Sequence, residues 1–231
     1  MLKPAAKVNL LRVISALFVA LSLLLQYLFS AGTVGYTAHW NNGKEYVAAG
    51  SHPALVAWSI AGIVLLAFLL KLEVEEFPAG VPSAWRRFFT FLIDFWFSLA
   101  ILASLGGIVP LWLESMRTGQ FAWHFERNYF VPSDEMFAIP LVLIIMALMF
   151  LYFAWPLTKG KQTMGCFIMR LKVAPPFGSQ GALTFRTAAR RVWLEFTGMG
   201  SFLLKRADRD SEGRTWYDRE SNCTVILIKY E

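Results

Sequence analysis

The sequence predicts an all-α polytopic membrane protein with four transmembrane helices and a small cytoplasmic, membrane-associated tail holding an amphipathic helix and two short strands. Three observations lead there. The 231-residue chain is 56% apolar and only 16% charged, against roughly 25% charged residues in soluble domains, so it has too few charges to coat a water-soluble globule. Four blocks, residues 13–42, 46–70, 95–113 and 136–158, contain no Asp, Glu, Lys or Arg, and each holds the ~20 residues that cross a ~30 Å hydrocarbon core as helix. The net charge of +6 is unevenly spread. Ten cations (Lys3, Lys7, Arg12, Lys71, Arg86, Arg87, Lys159, Lys161, Arg170 and Lys172) flank one side of the spans, and three (Lys44, Arg117 and Arg127) fall in the two opposite loops. That bias places both termini in the cytoplasm of a multi-pass inner-membrane protein. It makes anionic lipid headgroups, rather than nucleic acid, the expected partner of the basic tail.

The first span covers residues 8–30. Lys3 and Lys7 ahead of it also fit a cleavable signal peptide, but residues 13–29 outlast a typical signal core, so a retained signal anchor is expected. The second span, residues 54–70, closes a hairpin around an outer loop with turn signals at Asn41-Asn42-Gly43 and Gly50-Ser51-His52-Pro53. The acidic linker of residues 73–76, with Pro78, Gly80 and Pro82 after it, interrupts helix and marks the expected module boundary. The third span opens at Trp85-Arg86-Arg87 and runs to Pro110, with Trp85 and Trp112 as interfacial aromatics. The outer loop after it, with Trp123 and Tyr129, reads as a segment lying on the membrane face. The fourth span, residues 138–155, carries no charge.

Beyond Pro156, the alternation over residues 167–173 predicts a strand, and Pro175-Pro176-Phe177-Gly178 predicts a turn. Thr184 caps a helix that sets Arg186 and Arg190 four apart on one face. Its apolar continuation, residues 192–204, is too short to span and is expected in the headgroup region or as a shallow re-entrant piece. A terminal strand over residues 223–229 is expected to pair with the first as a small cytoplasmic sheet.

Asp94 is the sharpest chemical signal, because a carboxylate at the centre of a transmembrane helix costs about 2.5 to 3.5 kcal/mol on insertion scales. It follows Arg87 by seven residues, which returns a helix to within about 20° of the same face and about 10 Å higher. Arg87 and Asp94 are therefore expected as an intramembrane charge pair, joined directly or through water. Either the pair is a structural latch, or Asp94 binds a cation or relays a proton.

The stretch Arg86-Arg87-Phe88-Phe89-Thr90-Phe91-Leu92-Ile93-Asp94 resembles the opening signature of the RDD family of small membrane proteins. The resemblance continues through Gln162, Thr163 and Gly165, similar to that family's Gln-Thr-x-Gly-Lys turn, through Arg190 or Arg191, and into Asp218 followed by Thr224-Val225. It implies that Arg87, Asp94 and Asp218 are the family's three naming positions. Cys166 stands where the family has Lys, and the apolar stretch before Asp218 is short. On this reading residues 1–76 are an N-terminal transmembrane hairpin outside the resemblance, and residues 77–231 are the RDD-like domain. The family implies transport of an ion or small ligand, or a subunit of a transport system. The alternative is a non-catalytic scaffold or accessory subunit of a larger membrane complex, as a homo-oligomer or with other membrane proteins.

Other chemistry finds little footing. Cys166 and Cys223 match no metal or redox spacing, and His39, His52 and His124 match no ligand pattern. The turn at Gly160-Lys161 lacks the spacing of a phosphate-binding Walker loop, although Lys159, Lys161 and Arg186 would suit lipid headgroups. No nucleophile stands beside a recognisable base. The expectation is no enzyme, no metal, no cofactor and no nucleic-acid partner.

Overall fold

The computed structural model describes residues 4–29, 35–41, 44–73, 76–129, 132–176, 182–202 and 214–230. Four of its helical stretches are long and apolar enough to cross a membrane: Ala5–Phe29, Pro53–Lys71, Ala84–Thr118 and Ile139–Thr158. They match the four charge-poor blocks. In chain order the elements are α1 (Pro4–Phe29), β1 (Gly35–Asn41), β2 (Lys44–Gly50), α2 (Pro53–Lys71), β3 (Glu76–Gly80), α3 (Ala84–Gly106), α4 (Ile108–Thr118), β4 (His124–Arg127) and α5 (Pro132–Thr158). There follow α6 (Met164–Met169), β5 (Leu171–Ala174), α7 (Phe185–Phe202), α8 (Trp216–Glu220) and β6 (Thr224–Tyr230). The third apolar helix breaks at Gly107, where Pro110 has no N–H to give to the carbonyl of Gly106.

The chain forms two compact units that do not follow chain order. One comprises Phe18–Leu65 and Trp96–Met149. Several polar side chains on its apolar helices find hydrogen-bond partners within the unit, as buried polar groups generally do. Trp58 donates to Ser22 Oγ at 2.7 Å, and Gln26 donates to Ser104 Oγ at 3.0 Å and to the Ala100 carbonyl at 3.2 Å. The rings of Phe18 and Trp58 stack at 4.4 Å. The two outer loops supply a three-stranded antiparallel sheet in the order β1-β2-β4, strands that the sequence reading did not anticipate. Strands β1 and β2 bracket Asn42-Gly43, a dipeptide favoured in two-residue hairpins that lies outside the described residues. Partners such as Val47 with Arg127 and Gly50 with His124 then bring β4 onto the hairpin.

The other unit comprises Met1–Leu17, Leu66–Phe95 and Phe150–Glu231. It contains the expected tail sheet, enlarged to three strands in the order β3-β6-β5. The third strand is the acidic linker itself. Glu76 is drawn into ladder register with Tyr230 and into an ion pair with Lys172 at 2.5 Å. Pro78 is tolerated because β3 is an edge strand, and the register shift beside it is turned by Gly80 at φ 129°. The strand expected over residues 167–173 begins only at Leu171, because residues 164–169 are taken by helix α6. The amphipathic helix forms as expected and runs through its apolar continuation to Phe202. The charged stretch before α8 and part of the Pro175-Pro176 turn lie outside the described residues.

Candidate functional site

The site is built around α6, a helix of six residues that cannot hold itself together. Its first-turn N–H groups have no partners inside the helix, and each finds one outside its ladder. Met164 N donates to the Tyr152 hydroxyl at 3.2 Å, Gly165 N to Asp94 Oδ1 at 2.7 Å, and Cys166 N to Thr163 Oγ1 at 3.4 Å. Thr163 is the N-cap, a position that favours a side-chain oxygen of this kind. Its hydroxyl in turn donates to Asp94 Oδ2 at 2.5 Å, and Tyr152 donates to Asp94 Oδ1 at 2.5 Å. The Asp94 carboxylate, 2% exposed, is therefore held by three donors, none of them charged. The far end of α6 receives a cation. Arg12 donates from Nε to the Phe167 carbonyl at 3.1 Å and from Nη2 to that of Ile168 at 2.7 Å. An anion at the start of a helix and a cation at its end both oppose the backbone dipole favourably. The seat at Gly165 has no room for a side chain: a Cβ there would lie 2.3 Å from the Thr90 carbonyl oxygen and 2.7 Å from Asp94 Oδ2.

Asp218 does comparable work for α8 with different partners. It completes a capping box, accepting from Thr215 N at 3.0 Å and Thr215 Oγ1 at 2.9 Å. It also forms ion pairs with Arg87 of α3 and Arg191 of α7, all three side chains being 5% exposed or less. Burial alone would raise this carboxyl, but the charges of Arg191 and Arg87 outweigh it and hold the group at about 2. Of the pairing expected between Arg87 and Asp94, the direct form is thus corrected, although both side chains line one cavity. Arg87 takes Asp218, which arrives from 131 positions along the chain, a partner that helical spacing has no means to foresee.

Beside Asp94 lies a cavity of about 30 Å³, also lined by Arg87, Arg191, Glu195 and Tyr217 among others. That is room for about one water molecule. Burial pushes the Glu195 carboxyl up, against the opposing pull of Arg191. Burial likewise pushes the Cys166 thiol, another lining group, up to about 12. A thiol held protonated is a poor nucleophile and fills space.

The remaining sequence-selected residues scatter. Gln162 is buried and accepts from the Tyr230 hydroxyl at 3.1 Å. Arg190 is exposed and pairs with Glu220 at 2.9 Å, so Arg191 fills the buried position. Lys161 is spent on the Leu72 carbonyl at 2.8 Å, and Lys159 lies over the Trp155 ring at 5.3 Å. Arg186 is exposed near the start of α7. Among the described residues no group of three His, Cys, Asp or Glu side chains is placed to hold a metal. Sequence reasoning missed Tyr152 and Glu195. A lone tyrosine in an otherwise polar-poor span had signalled a hydroxyl needing a partner, and Glu195 stands four residues after Arg191, the spacing of a helical ion pair.

No curated protein matches this chain, and no solved structure matches it. A family model does, over residues 81–221, and its description is the RDD family. The match takes in Arg87, Asp94 and Asp218 together with the α6 turn that Asp94 caps. The chain belongs to the RDD family.

Proposed function

We propose that this protein is a non-catalytic inner-membrane scaffold or accessory subunit, whose RDD residues lock tail elements onto the spanning helices and so present a fixed surface to other membrane proteins. The observation that carries the reading is the keying of α6. Residues from α1, α3 and α5 (Arg12, Asp94 and Tyr152) all terminate on this one short helix. Asp94 spends its oxygens on donors, which is how a carboxylate is used to fasten backbone rather than to offer lone pairs to a passing cation. The distribution of Lys and Arg supports cytoplasmic termini, and labelling of an introduced thiol at position 210 in intact cells would contradict that orientation.

Transport of an ion or small ligand is the second reading. It is favoured by one observation, the cavity that Asp94 shares with Glu195, since two carboxylates on a water-sized space are what a proton or cation step requires. Asp94→Asn separates the readings. As a latch, the substitution lowers the melting temperature, and so do Tyr152→Phe and Thr163→Val, which each remove one donor. As a transport site, it abolishes pH- or sodium-dependent flux in proteoliposomes while melting stays unchanged.

A further inference from the structure

A second pocket, of about 390 Å³, opens in the same compact unit as α6, and its lining is strongly one-signed. Arg12, Arg86, Arg170 and Lys229 contribute to it with Ile168, Leu227 and Ile228, and among the described residues no carboxylate lines it. The volume falls in the range of small-ligand sites. Four cations gathered without a counter-charge repel one another, an arrangement that persists where an anion relieves it.

Two of the three guanidinium groups are fixed in place by neutral acceptors. Arg12 is held by the carbonyls at the end of α6 and, at 3.2 Å, by Asn9 Oδ1. Arg170 donates from Nη2 to the same Asn9 oxygen at 3.2 Å. Asn9 therefore aligns two positive side chains without neutralising either. Arg170 also keeps a buried Nε with no hydrogen-bond acceptor in the described protein, a state that costs about 1–3 kcal/mol unless a ligand or water supplies one. Arg170 ends α6 at φ 56°, a left-handed position that glycine occupies with least strain. An arginine there adds charge to the pocket at a conformational cost.

We propose that this pocket binds the phosphate group of an anionic phospholipid. Planar guanidinium forks match phosphate oxygens, and basic pockets among spanning helices are where such headgroups seat. The neighbouring surface provides for acyl chains. Leu10 and Val13 on α1, beside Arg12, and Trp85 and Phe89 on α3, beside Arg86, are all large, apolar and exposed. The site is distinct from Lys159 and Lys161, and it stands whether Asp94 is a latch or a transport residue.

The test uses the full chain purified in neutral detergent, with bound lipid counted by native mass spectrometry and melting followed in parallel. Short-chain phosphatidylglycerol is expected to be retained and to raise Tm, with phosphatidylcholine of equal chain length retained less. Arg86→Gln and Lys229→Gln, which remove side chains without a role in holding α6, are expected to weaken retention about tenfold, the effect of losing one charge-assisted contact. Retention should also fall as added salt screens the charges. Inorganic phosphate at millimolar concentration serves as the second arm. If it protects against melting as well as phosphatidylglycerol does, and the same two variants abolish that, the pocket takes soluble phosphate and the lipid source is overturned. Equal retention of the two lipids, or retention unchanged in both variants, overturns the site itself.

Discussion

Asp94 and Asp218 are both buried carboxylates that close the first turn of a short helix, yet their surroundings differ in charge. Asp94 is met by two hydroxyls and one backbone N–H, whereas Asp218 is met by two guanidinium groups as well as by Thr215. The difference teaches what each carboxylate joins. Asp94 binds backbone and hydroxyl groups that are polar in any protonation state, so its loss weakens a set of hydrogen bonds. Asp218 balances two buried cations, so its loss strands them, and a stranded buried charge is far costlier than a missing hydrogen bond.

The sharpest way to break this comparison is Asp218→Asn. Leaving Arg87 and Arg191 without their counter-charge is expected to cost about 3–5 kcal/mol, read as a large fall in Tm or as failure to recover folded protein from detergent. Melting as stable as wild type would show that the ion pairs carry little.

Gly165→Ala attacks the other carboxylate through space rather than charge. Its Cβ meets the Thr90 backbone and displaces Asp94, and overpacking of this kind costs about 1–3 kcal/mol. Neutralising Asp94 itself, with Asn, preserves the shape and is expected to cost less, about 1–2 kcal/mol, as charge-assisted hydrogen bonds become neutral ones. A greater loss from Asp94→Asn than from Asp218→Asn would invert the comparison.

Acid separates Asp218 from Glu195 by sign. The folded Asp218 carboxyl sits at about 2 against an ordinary 3.8, so the unfolded chain takes up this proton first as pH falls. Its contribution, on the order of 2 kcal/mol, is complete above about pH 4 and is lost as pH falls through about 2. Glu195 has the opposite sign: with its folded pKa raised, its contribution falls as pH rises. An acid melting series should therefore show a loss between pH 4 and 2 that Asp218→Asn no longer shows. The smallest effect is expected at Arg190→Ala, because its exposed pair with Glu220 should be worth under about 0.5 kcal/mol. A fall in Tm comparable to that of Asp218→Asn would mean that the neighbouring arginines had been assigned the wrong roles.

The legible parts of this protein were those set by local composition. The four long apolar helices appear as charge-free runs of sequence. The hairpin carries its Asn-Gly dipeptide, and Thr184 precedes the helix it caps, accepting from Thr187 N at 3.2 Å. Asp94 announced itself as costly in hydrocarbon. Less legible was α6, because the apolar and basic alternation that follows it at residues 170–173 reads back into it as strand, and its helical form depends on acceptors supplied by Asp94 and Tyr152. Strand β3 was hidden for a similar reason: a Pro- and Gly-containing linker becomes an edge strand only when β6 offers it a ladder.

By itself the sequence determined the number of apolar helices, the presence of a polar tail, and the identity of the charged residues that had to be answered within the fold. Those are one-body properties: the cost of placing a residue in a given solvent depends on that residue and its near neighbours. Which charge answers which was decided only by the tertiary structure. A hydrogen-bonded ion pair needs its two groups at contact distance, and Asp218 comes within reach of Arg87 through the folding of the whole tail.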